Sequence, residues 1–408
     1  MSAPSRWILL ATALAAALVL SLVLVGALAG PGWTPAAERY FDPDFLSRAR
    51  AYNRTRYLLF ALGQALTVGT LALGVARGWH RQVADFITGL VGPRPLLAVA
   101  LFTALLFLAL RAAGLPMGLV RLALDHRYGL SSQPLGLWLS DWLKGLAVEV
   151  AVLIPLATGL FWLIRRWPQG WWLPAAGGLA LYLIAASYLG PVVVDPLFHR
   201  FTPLRDPALA GEVRDLARRA GVAADEVLVM DASRRTHRVN AYFAGVGRTR
   251  RIVLYDTLLS RYDRRQVLLV LAHELGHWRL GHIRRGLGLG VLGGAAGLWL
   301  AQRLLTGAGP RPGDPSQVAV LTLFFLLASL AALPVQNLVS RAFEREADRF
   351  ALALTGDPAG MAALEERLGR DNLADVDPHP LVRAVLFTHP PVVERMEAAL
   401  GGPGRAGP

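Results

Sequence analysis

The chain has 408 residues, 54% of them hydrophobic and 17% charged. Soluble domains carry roughly a quarter charged residues, so the composition points to a membrane. The formal net charge is +13, and Lys144 is the sole lysine. With no nucleic-acid motif in the chain, the arginines fit anionic lipid headgroups and the setting of topology. Cysteine is absent, which excludes disulfides, thiolate metal ligands, a cysteine nucleophile and prenylation or palmitoylation of the chain itself.

Seven apolar stretches approach or reach the ~20 residues that cross a bilayer. Trp7 to Ala29 is uncharged. Arg6 before it and small residues after it allow a signal peptide, while its length favours a retained helix. Tyr57 to Ala76 and Pro95 to Leu110 follow. The fourth, Gly145 to Ile164, carries Glu149, an ionisable group costly against lipid. It either faces a water-filled interior or bonds to a neighbouring helix. Trp171 to Val194 is the fifth. Gly286 to Ala301 is short and glycine-rich, which suits close helix packing. Val318 to Val339 is the seventh, with Pro334 expected to kink it.

Arginines cluster after the first span (Arg39, Arg48, Arg50, Arg54, Arg56) and after the third (Arg111, Arg121, Arg127). The segment from Asp195 to Arg285 and the tail from Arg341 are also arginine-rich. If every span crosses, all four fall on one face. The positive-inside rule makes that face cytoplasmic and puts the N-terminus outside. Arg77, Arg81 and Arg94 lie on the other face.

The expected domains are a membrane part over 1–194, an α/β segment over 195–285, further spans over 286–340 and a C-terminal segment over 341–408. In the second, Pro207 to Ala220 has a helical pattern. Val227 to Met230, Val239 to Phe243 and Arg251 to Leu254 read as strands. The last begins as helix and is expected to be broken by Pro358, Pro378, Pro380, Pro390 and Pro391, with Gly401 to Pro408 disordered.

The chemistry centres on His273-Glu274-Leu275-Gly276-His277, an H-E-x-x-H in the apolar-periodic run Val267 to Leu280. Residues i and i+4 share a helix face, so both imidazoles can meet one metal ion with Glu274 beside them as general base. A catalytic zinc site needs a third protein ligand. Glu344 and Asp348, again i and i+4, continue the helical pattern past the seventh span. Glu344 is assigned as that ligand, and Asp348 as the carboxylate that accepts a hydrogen bond from a ligand imidazole. Glu346 points away, and His282, about 140° round the helix from His277, is not assigned as a ligand.

These features resemble the membrane-embedded zinc endopeptidases of the type I CAAX prenyl protease family, from about Tyr40 to Leu400. Asp195-Pro196-Leu197-Phe198 with Phe201-Thr202-Pro203-Leu204, Asn240-Ala241-Tyr242-Phe243 and Arg251 to Leu259 are similar to family blocks. So are Ser340-Arg341 with Glu344 and Ala347-Asp348, and Thr388-His389-Pro390-Pro391 with Glu394-Arg395. The sequence departs at Gln266, where related chains often have Glu.

The resemblance implies a mainly α, polytopic membrane protein. Seven transmembrane helices surround an intramembrane chamber, with a small α/β zinc-protease portion on the cytoplasmic side. It implies one zinc ion held by His273, His277 and Glu344, with Glu274 activating water. His389 stabilises the oxyanion, and Asn240, Ala241, Tyr242 and Phe243 form a strand that pairs with extended substrate. His237, close to Asn240, has no assigned role.

The expected partners are membrane lipids and a peptide or protein substrate, prenylated or membrane-embedded, with no nucleic acid. The Arg-rich, Lys-poor composition is bacterial in type, which places the chain in an inner membrane. It also keeps open a quality-control protease with no prenyl requirement. A transporter, receptor or scaffold with a degenerate metal site would be expected to have lost Glu274 or a ligand, and none is lost.

Overall fold

The computed structural model describes residues 3–30, 33–222, 226–244, 251–306 and 312–401. The tail expected to be disordered lies outside these residues beyond Gly401. The long helices of the N-terminal half are α1 (Ala3–Leu28), α2 (Pro43–Ala76), α3 (Pro95–Arg127), α4 (Leu135–Arg166) and α5 (Trp172–Leu189), with shorter helices at Pro35–Tyr40 and Trp79–Val91. Local chemistry sets their starts. Asp42 caps α2 by accepting from the Phe45 N–H at 2.8 Å, with Pro43 in the first turn, a position where its missing N–H costs nothing. After α5 the chain makes a π-helical turn, Gly190–Val194, before a last helical turn at Asp195–Phe198. Pro191 lacks the N–H that regular α-helix would use there.

The sheet follows. Strands β1 (Phe201–Pro203), β2 (Glu226–Met230), β3 (Ala241–Ala244) and β4 (Arg251–Tyr255) lie in the order β1-β2-β4-β3. β4 runs parallel to β2 and antiparallel to β3. As an inner strand it is covered on both faces, so Ile252, Val253 and Leu254 are all fully buried and the strand is continuously apolar. β1, not expected as a strand, pairs antiparallel with β2. Helix α6 (Pro207–Arg219) packs on this layer through Leu209, Val213 and Leu216.

The second half holds α7 (Arg264–Arg279), α8 (His282–Leu305), α9 (Gln317–Thr355), α10 (Pro358–Asp371), α11 (Pro380–Leu386) and α12 (Val392–Ala399). A capping box of Asp263 and Gln266 starts α7, so the Gln266 departure keeps a local role. The C-terminal prolines do more than break helices. Pro358 and Pro380 occupy the first turns of α10 and α11, where their fixed φ suits initiation.

Among the described residues, six helices are long and apolar enough to cross a membrane: Ser5–Leu28, Pro43–Ala76, Pro95–Arg127, Leu135–Arg166, Trp172–Phe198 and Gln317–Thr355. The chain is therefore a multi-pass membrane protein. The expected span Gly286 to Ala301 falls within α8. That helix has 24 residues, but its glycines and Arg284, Arg285 and Arg303 dilute its apolarity below that of the other six. Its glycines do allow close packing, since a β-carbon on Gly290 would stand 3.6 Å from Leu183 of α5. α9 runs through Pro334 as one 39-residue helix. At 1.5 Å per residue it is about 58 Å long, well beyond the ~30 Å of a hydrocarbon core.

Glu149 forms an ion pair with Arg111 of the neighbouring helix α3 at 3.1 Å. Cross-links also bring the arginine-rich segments to one end. The Thr34 N–H donates to Asp377 at 2.6 Å, and Arg370 pairs with Asp42 at 2.8 Å. Ser131 bridges to Thr236, and His237 faces the Gly129 carbonyl at 3.0 Å, which gives that histidine a structural role.

α7 and α9 touch at backbone distance. A β-carbon on Gly276 would lie 3.1 Å from both Cα and O of Ala347, backbone atoms that have no side-chain freedom to yield. Gly276→Val should therefore cost about 1–3 kcal/mol and lower the thermal unfolding midpoint in detergent. Gly293→Ala, which meets nothing within 4 Å, should not lower it. Equal midpoints would contradict the close approach.

Candidate active site

The α7–α9 contact turns His273 and His277 toward Glu344. The His273 and His277 Nε2 atoms lie 3.1 Å apart. Glu344 Oε2 stands 3.3 Å from His273 Nε2, and Glu344 Oε1 stands 3.4 Å from His277 Nε2. Three donor atoms thus fall within 4.8 Å of one another. Glu344 is 6% exposed, and its Oε2 has no hydrogen-bond partner among the described residues. A buried, unsatisfied carboxylate oxygen facing two imidazole nitrogens is costly unless a cation answers it. Two imidazoles and one carboxylate form a donor set that fits zinc with an open position.

The far nitrogens of both rings are engaged. His273 Nδ1 meets Asp348 Oδ1 at 2.7 Å, as the sequence suggested. Arg395 clamps the same carboxylate, its Nε 2.8 Å from Oδ2 and a terminal nitrogen 2.6 Å from Oδ1. Arg395 also pairs with Glu365 at 2.8 Å. His277 Nδ1 lies 2.9 Å from His282 Nδ1, and His282 Nε2 lies 3.1 Å from Glu346. One tautomer set satisfies this network: each ligand ring donates from Nδ1, to Asp348 or to His282, and turns Nε2 toward the open centre.

His282 and Glu346, set aside as ligands by the sequence, support His277 instead, and Glu365, with no role expected from the sequence, pairs with Arg395. The pattern signals ligands by their spacing on one helix, and these three meet the site only through tertiary packing. A ring stack of His282 on Phe343, with centroids 4.5 Å apart, holds the first of them.

The electrostatics follow from burial and partners. Burial opposes charge on His273, yet hydrogen bonds to Asp348 and Glu344 outweigh it and raise its pKa to about 10. The two carboxylates thus demand positive charge at this point, which a divalent cation also supplies. Burial pushes the Glu274 carboxyl up, with His273 and His277 opposing. Burial likewise raises Glu365 to about 7 against the pull of Arg395. Desolvation by the surrounding protein lowers the pKa of His389 although its ring is open to the chamber. Its Nδ1 lies 2.8 Å from the Thr388 hydroxyl, which leaves Nε2–H to donate. Its Nε2 lies 3.3 Å from Glu344 Oε2.

His273, Glu274 and His389 line a chamber of about 850 Å³ that extends between α2, α3 and α9, with Asn240 at the same wall. β3 is the edge of the sheet. The Tyr255 N–H donates to the Asn240 carbonyl at 3.2 Å, so Ala241 and Phe243 turn their backbone groups to the open edge. Ala241 N–H already bonds to the Asn240 side chain at 2.9 Å. The side chains of Ala241 and Tyr242 do not face the chamber: Ala241 is buried, and the Tyr242 hydroxyl donates to Asp195 at 3.1 Å. The Phe243 side chain lies outside the described residues.

The fold and this site define a membrane-embedded metalloendopeptidase. Two family models divide the chain between them. "CAAX prenyl protease N-terminal, five membrane helices" matches residues 29–200, and "Peptidase family M48" matches residues 203–401. The chain belongs to peptidase family M48, with the membrane region of the CAAX prenyl proteases. It is 30% identical to a CAAX prenyl protease 1 homolog of Arabidopsis thaliana, over 68% of this chain and 67% of the relative. It is 28% identical to the uncharacterized metalloprotease YhfN of Bacillus subtilis, over 88% and 86%. The crystal structure of S. mikatae Ste24p has the same fold, with a TM-score of 0.84 over 98% of this chain and 99% of that one at 24% identity.

Replacing Asp348 by Asn removes the charge that orients His273. Metal affinity, read by competition with a chromophoric chelator, should fall about 10–100-fold while the fold persists. Unchanged affinity would remove Asp348 from the site.

Proposed function

We propose that His273, His277 and Glu344 hold one zinc ion and that the chain cleaves peptide bonds in protein substrates that reach the chamber from the membrane. Zinc, when bound, polarises a carbonyl and makes water acidic enough to attack near neutral pH. Glu274 takes the proton from the attacking water and delivers it to the leaving amine. Its raised affinity for protons suits this shuttle. His389 donates from Nε2 to the developing oxyanion. The outward backbone groups of Ala241 and Phe243, with Asn240 at the chamber wall, hold the peptide as an added strand. Asp348 and His282 orient the two imidazoles, and Arg395 and Glu365 fix Asp348.

The observation that carries this reading is the convergence of two imidazole nitrogens and an orphaned carboxylate oxygen beside Glu274, on a chamber wall next to an open strand edge. The four domain ranges expected from the sequence fit it. A membrane portion precedes residue 194, the segment 195–285 ends with the zinc helix, 286–340 carries the later spans, and 341–408 supplies the third ligand. The arginine-rich end, which holds the site, faces the cytoplasm of a bacterial inner membrane.

Substrates similar to those of CAAX prenyl proteases would carry a prenyl group. One peptide in two forms, with and without a farnesyl group on a C-terminal cysteine, tests this in detergent with zinc. Cleavage of the farnesylated form alone supports a prenyl protease. Equal cleavage makes the enzyme a broad endopeptidase with a quality-control role. Glu274→Gln should keep zinc and lose cleavage in both, and Glu344→Ala should lose zinc and cleavage. Full activity in either variant would contradict the assignment.

A further inference from the structure

The chamber wall also carries two guanidinium groups that no carboxylate answers among the described residues. Arg56 of α2 and Arg121 of α3 both line the chamber. The Arg56 Nε is buried and has no hydrogen-bond partner among the described residues. One terminal nitrogen donates to Asn53 Oδ1 at 3.0 Å, and the group lies 5.4 Å from the Tyr52 ring centroid. Arg121 and Arg238 act on Arg56 as like charges.

The nearby carboxylates are taken. Asp125 accepts from the Tyr52 hydroxyl and faces Arg238 at 3.5 Å. Asp375 accepts from the Tyr57 hydroxyl at 2.9 Å. Among the described residues, no hydrogen bond or ion pair joins Arg121 to any group. Arg56 is partly buried at the cavity wall and Arg121 is exposed, and their like charges repel. An anion between them relieves that repulsion, and a carboxylate fits the planar fork of arginine.

Position selects the anion. Arg238, which immediately precedes Val239 and Asn240, donates to the Tyr52 hydroxyl, and Arg56 sits over the same ring. The cationic pair therefore lies at the N-terminal end of β3. A peptide added antiparallel to β3 points its C-terminus toward that end. A parallel peptide would bring its amino end there, against two positive charges.

We propose that Arg56 and Arg121 bind the free C-terminal carboxylate of the substrate and so fix its direction and the distance from its end to the bond that is cut. This rests on the protease reading and adds a specificity site to it.

The test offers the peptide cleaved above in two forms, with a free C-terminal acid or a C-terminal amide. The wild-type enzyme should prefer the acid by on the order of tenfold or more in kcat/KM. Arg56→Gln and Arg121→Gln should each bring the acid-to-amide ratio toward one, while Arg56→Lys should keep part of it. Arg121→Gln breaks no hydrogen bond or ion pair among the described residues, so its result stands even if Arg56→Gln fails to fold. Binding of both peptides to the Glu274→Gln variant, read by fluorescence anisotropy, reports the same preference without turnover. A failed protease reading is thus separable from a failed carboxylate site. Equal handling of acid and amide by the wild type would overturn the proposal, as would a preference that survives both glutamine variants. Equal handling together with inhibition by anionic lipid would make the pair a headgroup site instead.

Discussion

The approach of α7 to α9 at Gly276 and Ala347 sets every distance that matters in the site. A helix carrying His273 and His277 and a helix carrying Glu344 bring their donor atoms within 4.8 Å because no side chain stands between the two backbones. Glycine at this position has a mild cost in helix propensity, ~1 kcal/mol, and is required here by space rather than by flexibility. The same contact seats Asp348 one turn along α9, opposite the back of the His273 ring. Ligand spacing and ring orientation therefore come from one helix pair, and the rest of the membrane domain encloses it.

The buried charges around that contact form a chain of alternating sign. His273 meets Asp348, Asp348 meets Arg395, and Arg395 meets Glu365. Burying such groups singly would cost several kcal/mol each. Paired, they fix one geometry and leave little freedom for the imidazole. On the other side His277, His282, Glu346 and Arg285 make a second chain that reaches the surface. The two imidazoles are thus held from opposite sides, one by a largely buried network and the other by a more exposed one.

Much of this was legible in the sequence where periodicity carries the signal. The H-E-x-x-H places two rings on one face whatever surrounds them, and Glu344 with Asp348 repeats the same i, i+4 spacing. Apolar runs located the membrane helices, and short apolar runs separated by turn or polar residues located β2 and β4. Other features carry no local signature. β1 is three residues ending in Pro203, too short for a pattern. The prolines of the C-terminal segment read as breaks, because a residue that ends one helix and a residue that begins the next look alike without the turn between them. His282 and Glu365 act through partners 5 and 30 residues away along the chain, and only tertiary packing joins them to the metal site.

The central claim is that two imidazoles and the Glu344 carboxylate hold one zinc ion. Zinc K-edge absorption on the purified Glu274→Gln variant, with metal counted by mass spectrometry, tests it most directly. The account predicts one zinc per chain with two imidazole nitrogens at about 2.0–2.1 Å and oxygen ligands completing a four-coordinate site. It also predicts loss of that signal in His277→Ala. A chain that binds no zinc, or one whose zinc environment is unchanged in His277→Ala, would contradict the account.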